Sequence, residues 1–115
     1  MITRELQESL RHIGPEVAEH VVIAYEPVWA IGGSAESALE PHDIHQMTLF
    51  IRKVIVELWG QGAERTSILY GGSVKGSNAQ AMVEEGAVDG FLVGSASLNP
   101  EEFSKIALAV QKNER

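Results

Sequence analysis

The sequence predicts an α/β fold built on a parallel sheet with flanking helices, and three observations support that prediction. Helix-like and strand-like segments alternate along the chain in the order α-β-α-β-α-β-α, and strands joined through helices pair in parallel. The strand-like segments are apolar runs with little polar alternation, which is typical of strands buried on both faces. Only three such runs are present, so the sheet has two open edges, which we expect association to complete.

Composition is ordinary for one globular domain spanning residues 1–115, with 44% hydrophobic and 22% charged residues. The absence of cysteine excludes a disulfide scaffold and a cysteine nucleophile. The chain has 16 acidic and 9 basic residues, and its net charge of -7 disfavours nucleic acid and anionic membranes as partners. None of the 4 histidines has the spacing of metal ligands, so we expect no metal and no cofactor.

Targeting and membrane signals are absent from the sequence. Residues 1–8 are polar and contain no apolar stretch after a basic region, so they do not resemble a secretory signal. The apolar runs are far shorter than the roughly 20 residues that a membrane-spanning helix needs. We therefore expect a cytoplasmic protein that has no membrane partner.

The chain begins with a predicted amphipathic helix. Residues 3–13 place apolar side chains at helical spacing, and Gly14 with Pro15 ends the helix. Residues 20–25 form a β-branched run that predicts the first strand, buried on both faces. A loop over residues 26–40 follows this strand. The side chains that the first helix is expected to bury are Leu6, Leu10 and Ile13.

The longest predicted element is a helix over residues 42–58, with Pro41 at its start. Its apolar residues recur at steps of three and four, and polar residues occupy the other face, so this helix is expected to cover a sheet. Residues 60–64 are expected to form the turn after it. The side chains expected to face the sheet are Ile44, Met47, Phe50, Ile51, Val54 and Leu58.

The second half of the chain repeats the alternation of strand and helix. Residues 66–70 predict the second strand, residues 78–85 a short helix, and residues 88–93 the third strand. The final helix begins at Pro100, with Asn99 as its expected cap. The side chains expected to be buried are Ala79, Met82 and Val83 in the short helix, and Phe103, Ile106, Ala107 and Val110 in the final helix.

Glycine and serine follow each predicted strand. In parallel α/β folds, ligands bind at the carboxyl ends of the strands, where Gly-rich turns let backbone N–H groups approach a phosphate. A steric explanation suffices for any one turn, but three turns together favour an anion site. The turns contain Gly32, Gly33 and Ser34 after the first strand, Gly71, Gly72 and Ser73 after the second, and Gly94 and Ser95 after the third.

Glu26 is the one carboxylate directly at the end of a predicted strand. Pro27 follows it, and the next residues are apolar through Ile31, so this segment is a candidate lid that folds over a site and excludes water. A carboxylate in that place suits a general base. The alternative is a buried acid with only a structural role.

Three segments resemble one enzyme family, and they occur in the family's order. Residues 24–32, with the sequence AYEPVWAIG, resemble the catalytic-glutamate segment and hinged lid of triosephosphate isomerase. Residues 68–74 (ILYGGSV) resemble that family's seventh-strand signature, and residues 89–98 (DGFLVGSASL) resemble its eighth. The resemblance covers essentially the whole chain, and it implies part of a (β/α)8 TIM barrel that begins before the sixth strand.

The resemblance also implies roles for the matching residues. Glu26 would be the base that moves a proton between two carbons of a triose phosphate, interconverting dihydroxyacetone phosphate and glyceraldehyde 3-phosphate. Arg52 and Asp89 would form a structural ion pair. The backbone amides implied to hold the substrate phosphate are those of Gly32, Ser73, Gly94 and Ser95. The lid and its latch are implied to comprise Pro27, Val28, Trp29, Ala30, Ile31, Gly33, Ser34, Tyr70 and Ser73.

The sequence departs from the family pattern at a few points. Gly33, Ser34 and Ala35 stand where the family usually has threonine, glycine and lysine, and Ser95 stands where it often has a second glycine. The family's lysine and histidine, which neutralise and polarise the substrate, lie in the first half of the barrel and have no counterpart here. We therefore expect activity only when a complementary barrel fragment supplies that half. The alternative is an inactive, self-associating part-barrel or phosphate-binding module.

Overall fold

The computed structural model describes residues 2–26 and 40–112, which contain four α-helices and three β-strands. The helices are α1 (Ile2–Leu10), α2 (Pro41–Trp59), α3 (Ala79–Glu84) and α4 (Pro100–Lys112). The strands are β1 (Val22–Tyr25), β2 (Ser67–Tyr70) and β3 (Gly90–Phe91). Short 3-10 helices cover Pro15–His20, Gly60–Arg65 and Ser95–Leu98. Most of the predicted loop over residues 26–40 lies outside the described residues.

The three strands form one parallel sheet in the order β1-β2-β3, which confirms the predicted fold class. Ile23 of β1 lies opposite Ile68 of β2. Tyr70 lies opposite Tyr25 on one side and opposite Phe91 on the other. Because side chains alternate along a strand, these five residues share one face of the sheet. The carboxyl ends of all three strands meet at one edge, where the predicted site residues follow them.

Helices cover that shared face through two apolar clusters. The first cluster surrounds Tyr70 and joins the start of α2 to α3 and α4. The second cluster surrounds Ile55 and joins α1 to the end of α2, where Trp59 Nε1 also donates a hydrogen bond of 2.8 Å to the Ile13 carbonyl. The buried members are Ile44, Tyr70, Val74, Ala79, Met82, Val83, Val88, Ile106 and Ala109 in the first cluster, and Leu10, Ala18, Ile55, Trp59 and Ala63 in the second.

The opposite face of the sheet is open, which corrects the expectation of strands buried on both faces. Val22 is 57% exposed and Leu92 is 43% exposed. Ala24, which shares this face, is exposed as well. A strand is buried on both faces only when two layers enclose it. The described helices supply one layer, so β1 alternates between exposed and half-buried residues.

The helix positions agree with the sequence, but two of the buried stripes differ from the prediction. On α2, Phe50 is 39% exposed although it was expected inside, and on α4, Phe103 and Ala107 are exposed. These apolar stripes are wider than the surface that faces them in the described part of the chain, so their flanks stay in contact with water. The buried residues are Ile44, Thr48, Ile51, Val54, Ile55 and Trp59 on α2, and Ile106 and Ala109 on α4.

The largest differences in length from the prediction are at α1, β1 and β3, and β1 begins at Val22 instead of residue 20. Helix α1 ends at Leu10, so Ile13 lies beyond it and is exposed, and a 3-10 helix that the sequence did not predict follows. Strand β3 covers two residues instead of residues 88–93. At its start, the carboxylate of Asp89, rather than a backbone carbonyl, accepts the Ile68 N–H at 2.8 Å, so residues 88 and 89 are not part of the strand.

Candidate active site

Glu26 follows β1 directly and lies at the carboxyl edge of the sheet, beside Gly71. The Gly71 N–H donates a hydrogen bond of 2.8 Å to the Tyr25 carbonyl, so the two chain segments remain paired up to this point. A Cβ atom added to Gly71 would lie 2.5 Å from Cγ of Glu26 and 3.1 Å from its Oε1. The Glu26 side chain therefore lies against bare backbone, and it is exposed. Glycine at this position provides the space that the carboxylate occupies.

Gly72 makes room for a different side chain. A Cβ atom added there would overlap the hydroxyl group of Tyr70. Tyr70 itself is 1% exposed and belongs to the first apolar cluster. The sequence suggested that these glycines let a phosphate approach the backbone. In the structure, Gly71 and Gly72 accommodate side chains of the protein itself, and the latch role of Tyr70 stays a prediction.

Ser73 begins a short loop that leads to Asn78 and is held in place by hydrogen bonds from side chains and backbone. Asn78 Oδ1 accepts a hydrogen bond of 2.8 Å from the Lys75 N–H, and Asn78 Nδ2 donates one of 3.3 Å to the Ser73 carbonyl. Val74 is buried in the first apolar cluster. Sequence reasoning placed Gly71 in a candidate anion-binding turn but missed its contact with Glu26, and it missed the side-chain bonds of Asn78. For Gly71, the signal is that β1 and β2 end opposite each other at Tyr25 and Tyr70, which brings the next residues, Glu26 and Gly71, together. For Asn78, the signal is an asparagine five residues after the serine of the Gly-Gly-Ser turn.

The third turn is open to water. Gly94 and Ser95 are exposed, and a Cβ atom added to Gly94 would meet nothing within 4 Å. The Gly94 carbonyl accepts hydrogen bonds from the Ser97 N–H at 2.9 Å and from Ser97 Oγ at 2.6 Å. The 3-10 helix Ser95–Leu98 begins here. A small anion can therefore reach this backbone.

The fold brings part of the predicted site to one edge of the sheet. Because β1, β2 and β3 are parallel neighbours, Glu26 and the turns that contain Ser73 and Gly94 all follow carboxyl ends of strands. The remaining predicted residues lie outside the described part of the chain. They are Pro27, Val28, Trp29, Ala30, Ile31, Gly32, Gly33 and Ser34.

The expected ion pair between Arg52 and Asp89 is confirmed, and it lies at the opposite, amino edge of the sheet. Arg52 Nη2 is 3.5 Å from Asp89 Oδ2, and both side chains are largely buried. Arg52 Nη1 also donates to the carbonyls of Ala63 at 2.9 Å and Thr66 at 2.6 Å. A cavity of about 520 Å³ borders this pair. The Arg52 guanidinium group therefore links α2 to the residues that precede β2 and β3, at the edge of the sheet opposite the candidate site.

Tyr25 is the residue in the described structure whose pKa is clearly displaced. Burial raises the pKa of Tyr25 above its ordinary value, because the phenolate loses contact with water. Tyr70, opposite it in the sheet, raises this pKa further through repulsion between the two phenolates. The neutral phenol is therefore the favoured form beside the base of the candidate site.

Metal and membrane features are also absent from the part of the chain that the structure covers. A second cavity, of about 360 Å³, lies beside His42, His45 and Glu85. Within residues 2–26 and 40–112, no cluster of histidine, aspartate and glutamate could hold a metal ion. None of the helices in the same residues has the length and apolar character needed to cross a membrane.

Comparisons with known proteins agree with the motifs. The family model described as triosephosphate isomerase matches residues 1–110. The triosephosphate isomerase of Caldanaerobacter subterraneus subsp. tengcongensis is 43% identical over 92% of this chain, and that of Hydrogenovibrio crunogenus is 42% identical over 95%. The triosephosphate isomerase of Endomicrobium trichonymphae is 38% identical over 92%. In each case the match covers 42% of the relative, so the chain spans about two fifths of the length of these proteins.

Proposed function

Because the chain belongs to the triosephosphate isomerase family, we propose that it supplies the catalytic base and phosphate-binding turns for interconverting dihydroxyacetone phosphate and glyceraldehyde 3-phosphate. The observation that carries the proposal is the placement of Glu26 against Gly71, at the edge of the sheet where all three strands end. A carboxylate there stands beside the turn that leads to Ser73. This arrangement puts a proton acceptor next to backbone that can hold a phosphorylated substrate.

In the proposed reaction, Glu26 moves one proton between neighbouring carbons. Its carboxylate removes a proton from the carbon next to the substrate carbonyl, and the bonding electrons form an enediol-type intermediate. A proton passes from the hydroxyl oxygen on the first carbon to the former carbonyl oxygen, and the Glu26 carboxylic acid returns its proton to the adjacent carbon as the first carbon becomes the new carbonyl. Glu26 ends as a carboxylate, so the step balances without a cofactor.

Backbone amides are proposed to hold the substrate phosphate. The donors are Ser73, Gly94 and Ser95, with Gly32 from the segment outside the described residues. The net charge of -7 opposes anion binding at long range, so the attraction has to be local. Converging N–H groups provide such a local field. Exposure of Gly94 and Ser95 supports this assignment.

The proposal requires a partner that completes the barrel. Lysine and histidine side chains from the missing strands would neutralise and polarise the substrate, and losing one such group costs on the order of 100 to 1,000-fold in rate. We therefore propose that the chain alone is almost inert and that a complementary barrel fragment or a further copy covers the open face. A cytoplasmic location and a place in glycolysis and gluconeogenesis belong to the same proposal.

The second candidate function is an inactive part-barrel that associates with itself. The exposed side chains of Val22 and Leu92 on the open face of the sheet favour it, because apolar groups in such a place promote association. The two candidates differ in whether a supplied half-barrel restores turnover. They agree in predicting that the chain is not a stable monomer.

Catalysis is tested by mixing the chain with the missing half of a barrel and measuring isomerase activity. Glu26→Asp should lower kcat about 100-fold, because shortening the side chain withdraws the carboxylate from the reacting carbon. Phosphate affinity should stay the same. Glu5→Asp, on exposed α1, is the matched control and should leave kcat unchanged. Full turnover by Glu26→Asp and Glu26→Gln in the complemented enzyme would make Glu26 a structural acid.

Association is tested by analytical ultracentrifugation of the chain alone at micromolar concentrations. Wild-type chain should associate, and Leu92→Lys should shift it toward monomer because a charge on the open face resists burial. Val56→Lys is the control, since Val56 is 41% exposed on α2, similar to Leu92 at 43%. A folded wild-type chain that stays monomeric throughout would eliminate the self-associating candidate.

A further inference from the structure

We propose that Asn78 is a positioning residue for the phosphate site: it holds residues 73–75 so that the Ser73 N–H is presented to the substrate. The inference rests on the proposed function, since it concerns the same turn. It assigns a role to a side chain that lies between β2 and α3, whose two hydrogen bonds in the described structure both go to residues 73–75.

Both polar groups of the Asn78 side chain bond to the loop. Its Nδ2 donates to the Ser73 carbonyl at 3.3 Å, while its Oδ1 accepts from the Lys75 N–H at 2.8 Å. An amide suits this bridge because it carries a donor and an acceptor side by side. Aspartate has no donor for the Ser73 carbonyl, so its second oxygen would be repelled there. The pair of hydrogen bonds therefore requires a side chain with both a donor and an acceptor, as asparagine has.

The direction of these bonds is unusual for the residue before a helix. Asparagine in that place typically accepts a hydrogen bond from the first turn, and Asn99 does so before α4, where its Oδ1 accepts from Glu101 N–H at 3.0 Å and Glu102 N–H at 3.2 Å. Asn78 makes no such bond to α3. Its side chain instead turns back toward Ser73. The Asn78 side chain therefore orders the loop and does not cap α3.

The loop has few other constraints near Ser73. Val74 is buried, and the Lys75 carbonyl accepts from the N–H groups of Asn78 at 3.2 Å and Ala79 at 3.0 Å. These contacts fix the later part of the loop. The bond from Asn78 reaches the Ser73 carbonyl itself, so it limits rotation of the residue whose N–H is proposed to bind phosphate. Ordering that residue before binding lowers the entropy cost of binding.

The test titrates the full chain with inorganic phosphate and follows the backbone amide signals of Ser73, Gly94 and Ser95. In Asn78→Ala, the apparent Kd read at Ser73 should rise about tenfold, in line with the loss of both side-chain hydrogen bonds. The Lys75 amide should also exchange with solvent faster in phosphate-free protein. Gln80→Ala, which removes an exposed side chain from α3, is the control and should change neither readout.

A second variant separates loop positioning from helix capping. Asn78→Ser keeps a residue that caps helices well, but its hydroxyl is one bond shorter and cannot span both loop groups. We expect its hydroxyl to make a new capping bond to α3, so that Asn78→Ser is more thermally stable than Asn78→Ala while its phosphate affinity stays as low. Recovery of phosphate affinity by Asn78→Ser, or an unchanged Kd in Asn78→Ala, would overturn the inference alone. If phosphate shifts none of the three amide signals in the wild-type chain, the proposed function and this inference are both overturned.

Discussion

The two faces of the sheet differ although the same three strands form both. On the covered face, Ile68 and Tyr70 are each 1% exposed, and Tyr70 belongs to the cluster that joins the sheet to α2, α3 and α4. On the open face, Val22 and Leu92 retain about half of their surface in contact with water. Apolar side chains occupy both faces, so composition does not separate them. The difference is that helices among residues 2–26 and 40–112 cover one face, and none of the elements in those residues covers the other.

The contrast explains where stability and chemistry lie. Burial of apolar groups stabilises the covered face, whereas residues on the open face have little of that energy to lose in the chain alone. Glu26 shares the exposed character of the open side and is held by its contact with Gly71. The candidate base therefore depends on the sheet for its position.

The largest expected effect comes from truncating a side chain on the covered face. Ile68→Ala should lower the free energy of unfolding by about 2 to 5 kcal/mol, because it leaves a cavity at a fully buried position. Val22→Ala on the open face is the matched truncation and should cost less than about 0.5 kcal/mol, as surface substitutions do. Urea unfolding at low protein concentration measures both. Equal losses would mean that the open face is buried in solution.

A smaller loss of stability is expected from substitutions of Asp89, which bonds to Ile68 and Arg52 at the amino edge of the sheet. Asp89→Ala should cost about 1 to 3 kcal/mol, because the Ile68 N–H loses its acceptor and Arg52 loses its ion pair. Asp89→Asn keeps an acceptor oxygen and should cost less. The same urea experiment compares the two variants, and equal losses would show that charge, rather than the hydrogen bond, dominates at this edge.

The smallest expected effect is a pH dependence at Tyr25, on the edge strand of the covered face. Its pKa is raised in the folded chain, so the folded state binds the phenolic proton more tightly than the unfolded state. That contribution is complete below the unfolded pKa of about 10 and is lost as pH rises through the higher folded value. Melting temperatures should therefore fall more steeply above about pH 10 in wild type than in Tyr25→Phe. Parallel curves would contradict the shift.

Secondary structure was largely predictable because its signals are local. The helical spacing in α2, and the Asn99 and Pro100 pair that begins α4, identify both helices, and the structure has them within a residue or two. The exposed position of Phe50 was not predictable in the same way. Helical spacing defines which residues share a stripe, but the neighbouring surface decides how much of that stripe is buried.

The sequence by itself determined the order of elements, the parallel sheet and the family, because propensities, turn residues and motifs are carried by neighbours along the chain. It also indicated Glu26 and the turns at Ser73 and Gly94. Tertiary structure alone decided that Glu26 lies on Gly71 and that the open face of the sheet stays in water. Those outcomes depend on register and on layers formed by distant segments, and spacing along one segment does not encode either.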